Sequence, residues 1–458
     1  IKTIESATEK SISSFAKLSL SLLFLLAVFL WTYSSHGKVP DNTFLIIGAI
    51  FGAYMALNIG ANDVANNVGP AVGARALTLT GAIIIAAIFE SAGAIIAGGD
   101  VVNTIKSGII NPNLITDKNS FIWAMTAGLL AGAVWLNFAT SIGAPVSTTH
   151  AIVGGVMGAG IASAGFSILN WGSLAEIASS WVISPLLGGI VAAGFLYFIK
   201  KQIVYKENMI EQAQKFVPIL IAIMTWAFTT YLILKGLKQL VNISFLFASG
   251  ISLLFAFVAY YITKKSIDKN LSNLSNDRSS VNKLFTPALI FGAALLSFAH
   301  GANDVSNAIG PLAAINDAIM HGGTSVKASV PFWIMVVGAI GIVIGLILYG
   351  PRLIKTVGSE ITELDQMRAF SVAMATAVTV IIASQMGLPV SSTHIAIGGV
   401  FGVGFLREAL DMTEKNYVQD IREKFKKHKK ELEKLKADLF KLESLKDKNK
   451  STYVKIVD

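Results

Sequence analysis

The 458-residue chain contains no cysteine. Disulfides, thiolate metal centres and thiol nucleophiles are thereby excluded. Charge is scarce as well. Only 14% of residues are Asp, Glu, Lys or Arg, against about 25% in soluble domains. That charge is unevenly spread: residues 411–458 hold 14 Lys/Arg and 10 Asp/Glu, leaving 41 charged residues for the other 410. The formal net charge of +9 comes from this tail and from a few loops. In so apolar a chain it reads as an orientation signal and not as a nucleic-acid surface.

Long hydrophobic runs take the place of the missing charge, with 53% of the chain hydrophobic. Apolar stretches lie near 18–34, 43–61, 81–99, 121–142, 149–165, 175–199, 216–235, 244–263, 286–301, 331–350, 366–386 and 392–407. They predict an all-α, polytopic membrane protein with about 12 transmembrane segments, several of them broken or half helices. The run from Leu18 to Trp31 follows Lys10 and Lys17 but carries no small-residue cleavage site, so it reads as a first spanning helix. Lys200, Lys201, Lys206 and Lys215 lie in one loop, and Lys264, Lys265, Lys269, Arg278 and Lys283 in another, two crossings away. The positive-inside rule makes that face cytoplasmic and places both termini there, as in a multi-pass protein of the inner (plasma) membrane.

The expected organisation is an N-terminal segment with an extra helix at 1–42 and a first repeat at 43–215. Connecting helices and a linker follow at 216–284, then a second, inverted repeat at 285–410 and a charged helix at 411–458. In the last segment Ile421, Phe425, His428, Leu432, Leu435, Leu439 and Leu442 recur at alternating spacings of 4 and 3, a heptad seam. Such a seam serves a coiled coil or an amphipathic helix lying on protein or lipid.

Two motifs each occur twice. Gly60-Ala61-Asn62-Asp63-Val64-Ala65-Asn66-Asn67-Val68-Gly69-Pro70 returns, 241 residues on, as Gly301-Ala302-Asn303-Asp304-Val305-Ser306-Asn307-Ala308-Ile309-Gly310-Pro311. Gly143-Ala144-Pro145-Val146-Ser147-Thr148-Thr149-His150 returns, 244 residues on, as Gly387-Leu388-Pro389-Val390-Ser391-Ser392-Thr393-His394. Seven apolar segments separate the first motif from its copy, and an odd number turns the second half over in the membrane.

The residue types indicate the chemistry. Gly, Asn and Pro at the end of an apolar run favour a broken helix, whose freed backbone groups are tolerated only around a polar cavity. After Pro145, the residues Ser147, Thr148 and Thr149 suit a helix start, with hydroxyls and free N–H groups at a positive dipole end that attracts phosphate-like anions. Asn62/Asn66 and Asp63/Asn67 are i,i+4 pairs offering the oxygen ligands that a hard cation takes. Asn, Ser and Thr also serve as glue between membrane helices. Asp63, Asp304 and Glu90 are different, because a carboxylate deep in a membrane helix costs several kcal/mol and marks function. Glu176 begins its run and reads as interfacial, His150 and His394 cap or orient the site, and Arg75 and Lys106 read as anchors at the membrane edges.

At these residues the sequence resembles the PiT family of inorganic phosphate transporters. The carriers are Gly-Ala-Asn-Asp at 60–63 and 301–304, Pro-Val-Ser-Thr-Thr-His at 145–150 and Pro-Val-Ser-Ser-Thr-His at 389–394. Ile88-Phe89-Glu90-Ser91-Ala92-Gly93 with Asn103-Thr104-Ile105 adds to them. The resemblance implies phosphate transport with sodium or protons, an inverted repeat and a homodimer. It places Ser147, Thr148, Thr149, Ser391, Ser392 and Thr393 in the substrate site, and Asn66 and Asn307, polar residues of the first motif and its copy, join them as expected phosphate ligands. It assigns Asn62, Asp63, Asn303, Asp304 and Glu90 to the coupling ion, with Asp63 and Asp304 as the sodium ligands. No cofactor is expected beyond sodium as a co-substrate. The repeat departs from symmetry twice: Asn67 is matched by Ala308, and the stretch 331–350 that corresponds to Glu90 has no acid.

The expected function is therefore cation-coupled phosphate symport by alternating access, with sodium screening Asp63 and Asp304 from the anion. A sulfate carrier and a proton-coupled permease fit the same scaffold. Ser147, His150 and Asp63 also contain the ingredients of a nucleophilic triad. A duplicated set suits a symmetric pathway better than one scissile bond, so no enzyme is expected.

Overall fold

A computed structural model describes residues 13–39, 41–115, 117–236, 243–270, 274–321, 330–359 and 364–457. Among these the chain is almost entirely helical, with a single antiparallel bridge between Ile110 and Leu169. The main helices are α1 (Ser14–His36), α2 (Asn42–Asn62), α3 (Val64–Gly73), α4 (Leu79–Ala97), α5 (Lys118–Ile142), α6 (Thr148–Ala164) and α7 (Trp171–Ile199). They continue with α8 (Met209–Gly236), α9 (Phe245–Asn270), α10 (Thr286–His321), α11 (Phe332–Ser359), α12 (Gln366–Gln385) and α13 (Ser392–Val457).

Ten helices among the described residues are long and apolar enough to cross a membrane, with α2 and α3 counted as one. Two of the twelve expected segments fall short. α6 has 17 residues, about 26 Å at 1.5 Å per residue, against an apolar core of about 30 Å. The apolar start of α13 runs directly into the charged tail. Both begin at loops inside the protein, so neither has a full thickness to cross.

Burial orders the helices from rim to centre. Only 11% of the apolar 18-residue window of α1 is buried, and Leu18, Leu22, Leu23, Leu26 and Leu30 are exposed on it. So apolar an outer face belongs against lipid. α10 is the central helix, with 89% of its apolar 18-residue window buried. Ion pairs tie helix entries together: Asp41 before α2 meets Lys118 at the start of α5 at 2.6 Å. Arg278, in a short helix leading to α10, meets Asp365 before α12 at 2.9 Å. Asp365 also caps α12, accepting from the Arg368 N–H at 3.0 Å.

Two crossings set the frame of the site. A Cβ on Gly60 would lie 1.9 Å from the Ile342 carbonyl oxygen, and one on Gly345 would lie 1.9 Å from that of Leu57. The other half repeats the contact: Gly301 meets the Glu90 carbonyl at 2.2 Å and Gly93 that of Phe298 at 2.1 Å. No residue with a side chain fits at such distances, so glycine lets α2 lie on α11 and α10 on α4 at backbone contact.

Residues Gly404–Asp458 form a compact unit of their own beside Ile1–Val403. In that unit Ile421, Phe425, His428, Leu432, Leu435 and Leu439 are exposed along the helix. The side chain of Leu442, the last of the seam, lies outside the described residues.

Candidate functional site

The second motif of each half breaks the helix where expected. α5 ends at Gly143, whose φ of +80° is left-handed, and the chain runs extended to Ser147. Ser147 Oγ then accepts from the His150 N–H at 3.1 Å and caps α6. The copy does the same, with Gly387 at φ +69° and Ser391 Oγ accepting from the His394 N–H at 3.2 Å. Two helix N-termini thus start inside the protein, with first-turn N–H groups that their own helices cannot satisfy.

The first motif corrects an expectation of unwinding. Between α2 and α3 only Asp63 is out of helix, and α10 runs unbroken through residues 301–311. Pro70 and Pro311 lie inside helices, where each lacks the N–H that would bond the carbonyl four residues back, on Asn66 or Asn307. Two carbonyls are freed without opening the helix.

The four motifs meet at two carboxylates, and the partners cross between halves. Asp63 accepts from Thr148 of its own half and, at 3.2 Å, from Thr393 of the other. Asp304 accepts from Ser392 of its own half at 3.0 Å and from Thr149 of the other at 3.2 Å. Asn66 Nδ2 donates to Thr393 Oγ1 at 2.8 Å, and Asn307 Nδ2 lies 3.2–3.3 Å from the hydroxyls of Thr149 and Thr148. All eight residues are at most 1% exposed. The buried amide oxygens Asn66 Oδ1, Asn67 Oδ1 and Asn307 Oδ1 accept no hydrogen bond.

A residue missed in the sequence completes the cluster. His300 is fully buried, with Nε2 3.0 Å from Asp304 Oδ2 and 3.9 Å from Asp63 Oδ2, and Nδ1 2.7 Å from Glu90 Oε2. Glu90 Oε1 accepts from Asn67 Nδ2 at 2.7 Å. The signal was a histidine directly preceding Gly301 at the opening of the motif, but its repeat partner is Ile59, which hid it. The chain Asn67–Glu90–His300 has Ala308, Ile342 and Ile59 as its counterparts in the other half. One crossing is therefore polar and its mate apolar. Asp63, His300 and Asp304 bring their ligand atoms within 4.8 Å of one another.

Other expected residues are placed differently. Asn62 and Asn303 brace the loops. Asn62 Nδ2 donates to Thr140 Oγ1 and the Ala144 carbonyl, both at 3.0 Å, and Asn62 Oδ1 accepts from the Val146 N–H at 3.0 Å. Asn303 Nδ2 donates to Ser384 Oγ at 2.9 Å and to the Leu388 carbonyl at 3.4 Å, the matching positions. These amides hold the helix starts in place and spend their N–H groups doing so. Lys106, read as a membrane-edge anchor, is buried and paired with Asp317. No triad forms: His150 Nδ1 reaches Ser147 Oγ at 2.5 Å, but its ring lies 3.7 Å from that of Trp181, and Asp63 is held by Thr148 and Thr393. His150 and His394 face each other at 4.8 Å beside a cavity of about 500 Å³ that Pro145, Ser147 and Trp135 also line.

A multi-pass helical protein with a buried carboxylate–hydroxyl cluster, and helix starts from both halves aimed at it, has the build of a membrane transporter. The chain belongs to the phosphate transporter family, whose family model matches residues 59–432. A Helicobacter pylori (strain J99) protein described as "Putative phosphate permease" is 54% identical over 413 residues, 90% of this chain and 78% of the relative. One from Haemophilus influenzae with the same description is 39% identical, over 80% of this chain and 89% of the relative. A solved structure, "The sodium-dependent phosphate transporter", matches with a TM-score of 0.75 and 36% identity, covering 80% of this chain and 90% of that one. The family is one of transporters and not of enzymes.

Proposed function

We propose that this protein carries inorganic phosphate across the plasma membrane in symport with a cation, sodium first, by alternating access between two inverted halves. One observation carries the cation. Three buried carboxyl groups, Asp63, Asp304 and Glu90, have a single imidazole among them, and three neighbouring amide oxygens lack a donor. A proton satisfies one carboxylate oxygen. A hard cation takes several oxygens at once, from carboxylates, amides and the carbonyls freed by proline. The anion is favoured by the two helix N-termini and by the hydroxyls of Thr148, Thr149, Ser392 and Thr393. Those hydroxyls donate to Asp63 and Asp304 and would turn to phosphate once a cation screens the carboxylates. The phosphate transporter named among the solved structures is sodium-dependent, which agrees with this order. The protein acts as a homodimer on this reading, with both termini in the cytoplasm.

The deciding experiment is uptake of labelled phosphate into proteoliposomes under imposed sodium or proton gradients, with sulfate as competitor. Accumulation driven by sodium and resistant to sulfate is expected. Accumulation driven only by protons overturns the sodium part, and displacement by equimolar sulfate overturns the substrate.

The two-half arrangement is supported by the ion pairs at helix entries, which join α2 to α5 at one place and the approach to α10 to α12 at another. Between exposed Lys38 and Lys206 lie α2, α4 and α7, and α5 and α6 together add an even number of crossings whether they form a hairpin or both span, so single cysteines at these positions should react with an impermeant reagent from opposite sides. Labelling from one side would sink the topology. Deletion of everything after Asp411 should leave uptake per folded molecule intact, since Gly404–Asp458 is a separate unit. Lost uptake with unchanged folding would make the tail part of the carrier.

A further inference from the structure

We propose that Thr104, Lys106 and Asp317 form a clamp that holds closed the loop leading to Ser392 and Thr393, and are thus positioning residues for transport. The inference rests on the transport reading above. Thr104 Oγ1 donates to the Gly387 carbonyl at 2.7 Å. At Gly387 the chain leaves α12 and enters that loop in a left-handed turn, so this bond fixes the loop's entry, while Asn303, Trp181 and Thr149 hold the carbonyls of Leu388, Pro389 and Val390 that follow. Thr104 opens a π turn, Thr104–Gly108, that lies on α10: a Cβ on Gly310 would meet Ile105 Cγ2 at 2.7 Å. The next residue, Lys106, pairs with Asp317 of α10, and their side chains are 5% and 3% exposed. An ion pair this dry adds little net stability, but once formed it favours one geometry, because separating it gives up the attraction that offsets the desolvation of both groups. Asp317 is thirteen residues beyond Asp304, about 20 Å along the helix. The clamp therefore acts on the site through the loop and not by contact.

The repeat supplies an internal control. Thr356, Val357 and Gly358 lie 252 residues after Thr104, Ile105 and Lys106, the same offset that relates Glu90 to Ile342 and Gly93 to Gly345. Val357 packs on Gly69 as Ile105 packs on Gly310, with Cβ approaches of 2.9 and 2.7 Å. Beyond that the likeness ends. Gly358 offers no ammonium, Ala76 stands where the other half has Asp317, and the Thr356 hydroxyl turns back to its own helix, to the Arg352 carbonyl at 3.4 Å. The loop at Gly143 is met instead by Arg352, which is exposed and donates to the Ser141 carbonyl at 2.9 Å. The loop at Gly387 is tied by a hydroxyl next to a buried ion pair, and its mate by an exposed guanidinium. Alternating access gates one half of a carrier against the other, and a contact made on one half only is a place where such a gate acts.

The chain has no native cysteine, which makes the test clean. Val390, 1% exposed, lies in the loop, and Val390→Cys reports its opening by the rate of reaction with a soluble thiol reagent. This rate is measured in the full-length protein with Thr104→Val, with Asp317→Asn and with the exchanged pair Lys106→Asp/Asp317→Lys. Phosphate uptake is measured for the same clamp variants in the cysteine-free chain. Thr104→Val should speed labelling about five-fold or more, the effect of losing one hydrogen bond of about 1 kcal/mol. It should lower the maximal uptake rate by more than it changes KM. Asp317→Asn should do the same more strongly, and the exchanged pair should recover part of the loss; the loss of maximal rate at little-changed KM, together with faster labelling, is the readout a merely structural role would not move. Thr104→Val leaves the ion pair intact and so decides the matter if Asp317→Asn does not fold. Equal labelling rates in Thr104→Val and its parent overturn the clamp. Absence of phosphate uptake by the unaltered chain overturns the transport reading instead, and leaves the labelling result to be judged separately.

Discussion

Replacing Asp63 or Asp304 by Asn should abolish the sodium dependence of phosphate binding and reduce uptake on the order of a hundredfold, equivalent to about 3 kcal/mol of lost interaction. Each carboxylate accepts hydroxyl hydrogen bonds from both halves of the protein and shares His300 with the other. Asn keeps the shape and one acceptor but removes the charge. If sodium screens these groups from the anion, the two ligands must bind with positive linkage, and the linkage must be reciprocal. Raising sodium should tighten phosphate in the wild type, and phosphate should tighten sodium by the same factor. In either variant phosphate still binds, because the helix starts and hydroxyls remain, but the factor collapses towards one. Titration of phosphate at several sodium concentrations reads this directly. A wild-type affinity indifferent to sodium would exclude sodium coupling, and the same titration against pH would then test protons. Variants that unfold while retaining full linkage in the folded fraction would show that the carboxylates only hold helices together.

Gly60→Ala and Gly301→Ala should each destabilise the protein by about 3 kcal/mol or more, at the upper end of overpacking effects. The new methyl would sit 1.9 Å from the Ile342 carbonyl oxygen or 2.2 Å from that of Glu90, and these are backbone atoms that cannot swing aside. The helices must separate instead. Gly154→Ala is the control, since nothing lies within 4 Å of its added Cβ. Thermal unfolding in detergent should rank both crossing variants far below the control. The two crossings should differ in uptake as well. Displacing Glu90 pulls on His300 and hence on Asp304, whereas displacing Ile342 disturbs only apolar contacts. Molecules of Gly301→Ala that remain folded should therefore lose more uptake than those of Gly60→Ala. Equal melting of Gly60→Ala and Gly154→Ala would disprove the close crossing.

The sequence alone determined the class, the number of main segments to within two, the duplication and the motifs that the fold brings together. Those features rest on composition, periodicity and local motif, which are properties of neighbours along the chain. Ser147 and Ser391 were legible as caps because a cap is made with a residue three positions on. Asp63, Asp304 and Glu90 were legible because a carboxylate in an apolar run is conspicuous wherever the run packs. Tertiary structure decided what depends on partners far apart in sequence. Asn62 and Asn303 read as cation ligands in the sequence, and only the fold shows their N–H groups given to loops more than eighty residues away. Lys106 looks like an anchor because nothing near it foretells an acid 211 residues on. His300 acquires its place only when α4 crosses α10 and brings Glu90 against it. The same crossing explains why the repeat is imperfect there: two helices at backbone contact leave room for one filled pair, which is polar in one half and apolar in the other.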